Sequence, residues 1–116
     1  MSDELRIGIV MSFDKSGTKV SRAETIEVDV AGETFTHEIQ SIGTGNVALA
    51  ISTAIGTPGY VFIKNLDSTN FVTVGLTSSY TIKLKAGEIA LFRAAGTLFA
   101  LADTAACLVE YWIIEL

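Results

Sequence analysis

Residues 60–84 read YVFIKNLDSTNFVTVGLTSSYTIKL, and no other stretch restricts the fold as tightly. β-Branched and aromatic residues recur in alternating runs, and clusters of Asn, Asp, Ser and Gly interrupt them. Period-2 alternation broken in this way is the pattern of consecutive antiparallel strands joined by tight turns. The stretch therefore predicts three strands, at residues 60–65, 71–76 and 80–84.

The flanking sequence continues the pattern. Ile7, Ile9, Met11 and Phe13 fall on one face of a first strand, and residues 14–18 supply turn chemistry after it. Ile26, Val28 and Val30 alternate with Glu27 and Asp29. Ala31-Gly32 then reads as the two-residue connection of a hairpin to Phe35, His37 and Ile39, which alternate with Thr34, Thr36 and Glu38. Residues 41–46 are a Gly-rich break, and residues 47–55 are read as a strand on the alternation of Val47, Leu49 and Ile51, against an alanine content that favours a helical turn. Further strands are predicted at residues 89–94 and 98–102, and a last one at 105–116. That last run is apolar on both faces except for Glu110 and Glu115, as in a strand covered from two sides. Val109, Tyr111 and Ile113 are expected to fill the core, and Trp112, Ile114 and Leu116 to meet a second layer or a neighbouring subunit. Pro58, Gly59, Asn65, Asp67, Asn70, Gly75 and Gly87 are assigned to structural turns. About eight or nine short strands with no helix predict one all-β domain over residues 1–116, an antiparallel β-sandwich of jelly-roll type.

Charge narrows the function classes. Eight Lys and Arg stand against 13 Asp and Glu, a net charge of −5, and the basic residues are scattered. A nucleic-acid surface needs them clustered along the phosphates, so no nucleic-acid partner is expected. Charged residues make up only 18% of the chain, and apolar residues 49% before its 10 glycines are counted, an apolar excess over an ordinary domain. Surface with so few charges is expected to be covered by further copies of the chain or by a host assembly. No run approaches the roughly 18–20 apolar residues of a membrane span, so no membrane partner is expected. The start MSDELRIG has two acids where a secretory signal has an apolar segment. With one cysteine and no disulfide framework, synthesis and folding in a cytoplasm are expected.

Chemistry is hard to find in these residues. His37 is the only histidine; on a face shared with Phe35 and Ile39 it is expected to be a partly buried structural imidazole rather than a base or ligand. Cys107 shares a strand face with Val109, Tyr111 and Ile113 and reads as a small core residue. Glu110 and Glu115 lie on opposite faces of one strand and cannot form a paired-carboxylate site. The Asx-rich segment 65–70 reads as turn architecture, with a Ca²⁺ or sugar site as its alternative. No catalytic residue, metal site or cofactor is expected, and the chain is expected not to be an enzyme.

One resemblance goes further. Residues 59–72, GYVFIKNLDSTNFV, then Val74-Gly75, the LKAGE of residues 84–88 and the closing EYWIIE of residues 110–115 resemble small virion structural proteins of tailed bacteriophages. The resemblance covers about half the chain, from Gly59 onward, and carries no functional residue over. It implies a non-enzymatic β-sandwich protein that decorates or cements the capsid, or lies in the neck or tail. Its implied partners are further copies of itself, with a trimer favoured, and the phage major capsid protein or other virion proteins; its implied location is the virion, after synthesis in the bacterial host cytoplasm. A carbohydrate- or receptor-binding module on the same sandwich is the rival class.

Overall fold

Among the described residues of this computed structural model, 4–51, 55–77 and 79–115, regular structure consists of ten β-strands and no helix. The chain divides into two compact units, Met1–Ala31 and Gly32–Leu116. The sandwich expected over residues 1–116 is thus confined to the second unit.

In the first unit β1 (Leu5–Lys15) and β2 (Thr18–Val28) form an antiparallel ribbon, in register from Lys15 opposite Thr18 to Leu5 opposite Val28. Ser16 and Gly17 turn the chain with φ values of 53° and 84°. Two successive positive φ angles are what a type I′ hairpin turn requires, and its twist matches that of the strands it joins. This ribbon replaces the hairpin expected across Ala31-Gly32. Ile26 pairs with Ile7, its nearest partner along the chain, whereas an Ala31-Gly32 turn of this type would force the Ala31 Cβ into the left-handed region.

The second unit contains β3 (Phe35–Ile42), β4 (Val47–Ala48), β5 (Pro58–Asn65), β6 (Val72–Leu76), β7 (Ser79–Leu84), β8 (Ile89–Arg93), β9 (Phe99–Ala102) and β10 (Cys107–Glu115). They make two four-stranded sheets, β3-β10-β5-β8 and β4-β9-β6-β7, with antiparallel neighbours throughout. The pairing is nested. β6 joins β7, β5 joins β8, β4 joins β9 and β3 joins β10, so the innermost hairpin of the sequence is the stretch that announced the fold. Val61 and Ile63 of β5 and Val109, Tyr111 and Ile113 of β10 meet Val72, Val74, Leu84, Ala100 and Ala102 of the other sheet in one buried cluster. Each Val, Leu or Ile side chain among them contributes about 1.5–3 kcal/mol when fully buried, and this shared layer makes the unit an antiparallel β-sandwich.

Several assignments change in place or in kind. The strand expected at 47–55 shrinks to Val47–Ala48, although Leu49 N–H still donates to the Leu98 carbonyl; residues 52–54 lie outside the described residues. Gly87 occupies a turn at φ 78°. Pro58 and Gly59 do not turn the chain: they open β5, with Pro58 at the first position, where a missing N–H breaks no interior ladder bond. Gly75 likewise lies inside β6, where the register shifts. A Cβ there would meet the Ser79 carbonyl oxygen and the Tyr80 Cα, so the glycine marks a bulge rather than a turn. On β3 the facing is reversed: Thr36 and Ile42 are buried, while Phe35, His37 and Ile39 are exposed.

Candidate interaction face

The outer face of the β3-β10-β5-β8 sheet collects the most unusual surface of the second unit. Residues opposite one another across antiparallel strands point to the same side, so the register gives the face row by row. Trp112 stands between His37 and Phe62, and Phe62 is opposite Leu91. Glu110 stands between Ile39 and Lys64, and Lys64 is opposite Ile89. Phe35 is opposite Ile114 at one end, and Leu108 is opposite Ser41 at the other. Phe35, Ile39, Ile89, Leu91 and Leu108 are exposed, and Trp112 keeps 43% of its surface in solvent. Antiparallel sandwiches normally turn polar residues outward. The second sheet comes nearer to that habit, with Thr73, Thr81 and Lys83 outward beside Phe99 and Leu101.

Aromatic rings order the centre of the face. Trp112 stacks on Phe35 with centroids 6.2 Å apart, and the His37 ring lies 4.6 Å from it, tilted by 36°. His37 Nε2 sits 2.8 Å from Glu110 Oε2, so the imidazole is fixed between a ring face and a carboxylate. At the β8 side the Arg93 guanidinium approaches the Tyr60 ring at 5.8 Å, a cation–π distance. Trp112 and Ile114, expected at an interface, both lie on this face; Leu116 lies outside the described residues. The expectation of a partly buried His37 gives way to an exposed one, because β3 is the sheet's edge and its Phe35 side is the outer side. No protein-family model, curated protein or solved structure matches the chain.

The other candidate positions are occupied by structure. Asn65 is fully buried, donates from Nδ2 to the carbonyls of Asn70 and Leu84, and accepts the Asp67 N–H. Asp67 Oδ2 in turn accepts the N–H groups of Asn70 and Thr69, and these bonds, the Asn70 one foremost, lower its carboxyl below the ordinary value. Asn65 Oδ1 and Asp67 Oδ2 are thus engaged by the loop's own backbone, and Asn70 Oδ1 accepts the Thr104 hydroxyl. Cys107 is buried, and burial first, then the Asp67 and Asp103 carboxylates, push its thiol up, away from the thiolate a nucleophile needs. Among the described residues no three His, Cys, Asp or Glu side chains gather as a metal site would require. The cavity bounded by Leu49, Val61, Leu98 and Ile113 offers about 10 Å³, less than a ligand needs.

Two polar anchors escaped sequence reasoning. Glu115 accepts hydrogen bonds from the N–H groups of Gly56, Glu33 and Thr34. The Tyr111 hydroxyl donates to the Ala50 carbonyl at 2.5 Å with Gln40 Oε1 2.8 Å away, while Gln40 itself bonds Ala48 and Ala50. Each ties β10 to a segment distant in sequence, a relation that no local pattern encodes.

Proposed function

We propose that the chain is a non-enzymatic structural protein of a tailed-bacteriophage virion, a capsid decoration or cement protein that stabilises the head by bridging shell subunits. The observation that carries this reading is the apolar outer face around Trp112 on a sheet whose inner face is already apolar. Such a sheet needs two covers, and the sandwich supplies one. In this reading the second cover is a neighbouring copy, in a trimer, together with the major capsid protein. The motifs at residues 59–72 and 84–88 supply the phage setting by resemblance, and a neck or tail position would use the same face. The nested strand pairing is read as a jelly roll. Individually modest contacts suffice in a lattice, because several must open together before a subunit leaves.

Virions purified without the protein should release their genome at a lower temperature than complete ones, and adding the protein back should restore the midpoint. Unchanged heat resistance in the depleted particles would overturn the cementing role. A second reading draws on a specific observation: the Phe35–Trp112–His37 ledge beside Glu110 offers ring faces next to a hydrogen-bond acceptor, an arrangement that also suits a sugar ring. For a receptor-binding module the depleted particles keep their heat resistance and fail to adsorb. Oligosaccharide would then perturb the fluorescence of Trp112, the only tryptophan.

A further inference from the structure

The β1–β2 ribbon has two unlike faces. On one, Ile7 is opposite Ile26 and Phe13 is opposite Val20, with Ile9 opposite Glu24 and Met11 opposite Arg22 between them. On the other, Arg6 faces Glu27, Ser12 faces Ser21 and Asp14 faces Lys19. The first face is largely apolar and yet uncovered: Ile9 is 49%, Phe13 52%, Val20 60% and Met11 74% exposed. A two-stranded ribbon has no core of its own and is marginal in water without a layer to pack on.

We infer that the ribbon is a dimerisation arm, its apolar face packing on the same face of a second copy. The charges on that face select this occupant. Arg22 and Glu24 sit two residues apart on one strand, and Arg22 Nε donates to Glu24 Oε1 at 2.7 Å. Two identical ribbons can be laid face to face about a two-fold axis that lies in the interface, perpendicular to the strands and level with Ala23. Each Arg22 then lies over the partner's Glu24, each Ile9 over a Met11, each Ile7 over a Phe13 and each Ile26 over a Val20. Over these four central rows each charge meets its opposite and each apolar side chain an apolar one, while the end row sets Lys15 and Thr18 over the partner's Leu5 and Val28; such two-fold exchange is what an isologous contact demands. A flat apolar partner would desolvate this pair with only each other as counterparts, whereas a second copy gives each of them a further opposite charge. Strands of 11 residues at about 3.3 Å per residue give a contact about 36 Å long and two strands wide. That is smaller than the roughly 800 Å² per partner of a standard interface, so the dimer is reversible and forms at high concentration or within an assembly.

The test uses the full chain and sedimentation velocity over a concentration series. Arg22→Glu and Glu24→Arg should each weaken association about tenfold or more, because each sets like charges face to face. Mixing the two variants should restore it, since one copy then carries acids at both positions and the other carries bases, and opposite charges meet at both symmetric contacts. The double exchange in one chain should restore it as well. Trp112→Asp, on the other unit's surface, should leave this pattern intact, which separates the arm from the role proposed for the sheet face. Single variants that associate as the wild type does, or a mixture that stays as weak as its components, would overturn the inference. So would a wild-type chain that stays monomeric throughout and whose ribbon amides gain protection only with other virion proteins.

Discussion

A carboxylate that accepts backbone N–H groups from two separate segments fastens them together, and Glu115 does so at the end of β10. Gly56 donates to one oxygen at 2.6 Å, and Glu33 and Thr34 to the other at 3.2 and 3.3 Å. Gly32 lies so near that a Cβ would collide with this carboxylate. The Gly56 bond is the main cause that lowers Glu115 from its ordinary value of 4.5; burial opposes it, and the Glu33 and Thr34 bonds add to it. A folded value below the unfolded one means that the contribution is fully present above about pH 4.5 and is lost as pH falls through the folded value. Glu115→Gln should therefore lower the urea midpoint at pH 7, and its difference from the wild type should shrink in acid. A difference that stayed constant from pH 7 to pH 3 would show that the charge is immaterial. Gly75 offers a steric test at the same scale. Its Cβ would strike backbone, the Ser79 carbonyl and the Tyr80 Cα, which cannot rotate aside, so Gly75→Ala should cost about 1–3 kcal/mol. An unchanged denaturation midpoint would mean that β7 can retreat.

At the scale of elements β10 decides most. It pairs with β3 on one side and β5 on the other and buries Val109, Tyr111 and Ile113 against the second sheet. Tyr111→Phe keeps the ring and removes the bond to Ala50, at a cost of about 1–2 kcal/mol at neutral pH. Burial, and next the Glu38 charge, raise the phenol from 10.0 to about 12. A raised folded value gives stability that is present below about pH 10 and disappears as pH rises towards 12. The wild type should thus lose stability faster than the Phe variant across that interval, as followed by circular dichroism in urea; parallel losses would count against the assignment. These elements also show what sequence can reveal. β5, β6 and β7 were legible because their alternation and their turns are local. The two apolar sets of β10 were legible too, and they gave Trp112 and Ile114 to the outer face. β3 was misoriented because alternation tells which residues share a face and not which face is inside; Phe35, His37 and Ile39 look like a core set until the edge position beside β10 is known. Ile89 and Leu91 join Trp112 only through β5, across a pairing order that no short window contains.

Over the molecule as a whole, most of the exposed large apolar side chains gather in two places, one on each unit: the ribbon and the sheet face. Trp112 makes the sheet face testable apart from the fold. Its exposed ring contributes little to the sandwich interior, so Trp112→Asp should shift the urea midpoint by no more than about 0.5–1 kcal/mol in equivalent stability. The same change places a carboxylate amid Phe35, Ile114 and Phe62 and beside Glu110, where any covering neighbour would have to desolvate it. If the face is an assembly surface, the variant should fold, remain dispersed and fail to load onto depleted particles, leaving their genome-release temperature low. A variant that folds and restores the midpoint as fully as the wild type would show that the apolar face is not where the shell is joined.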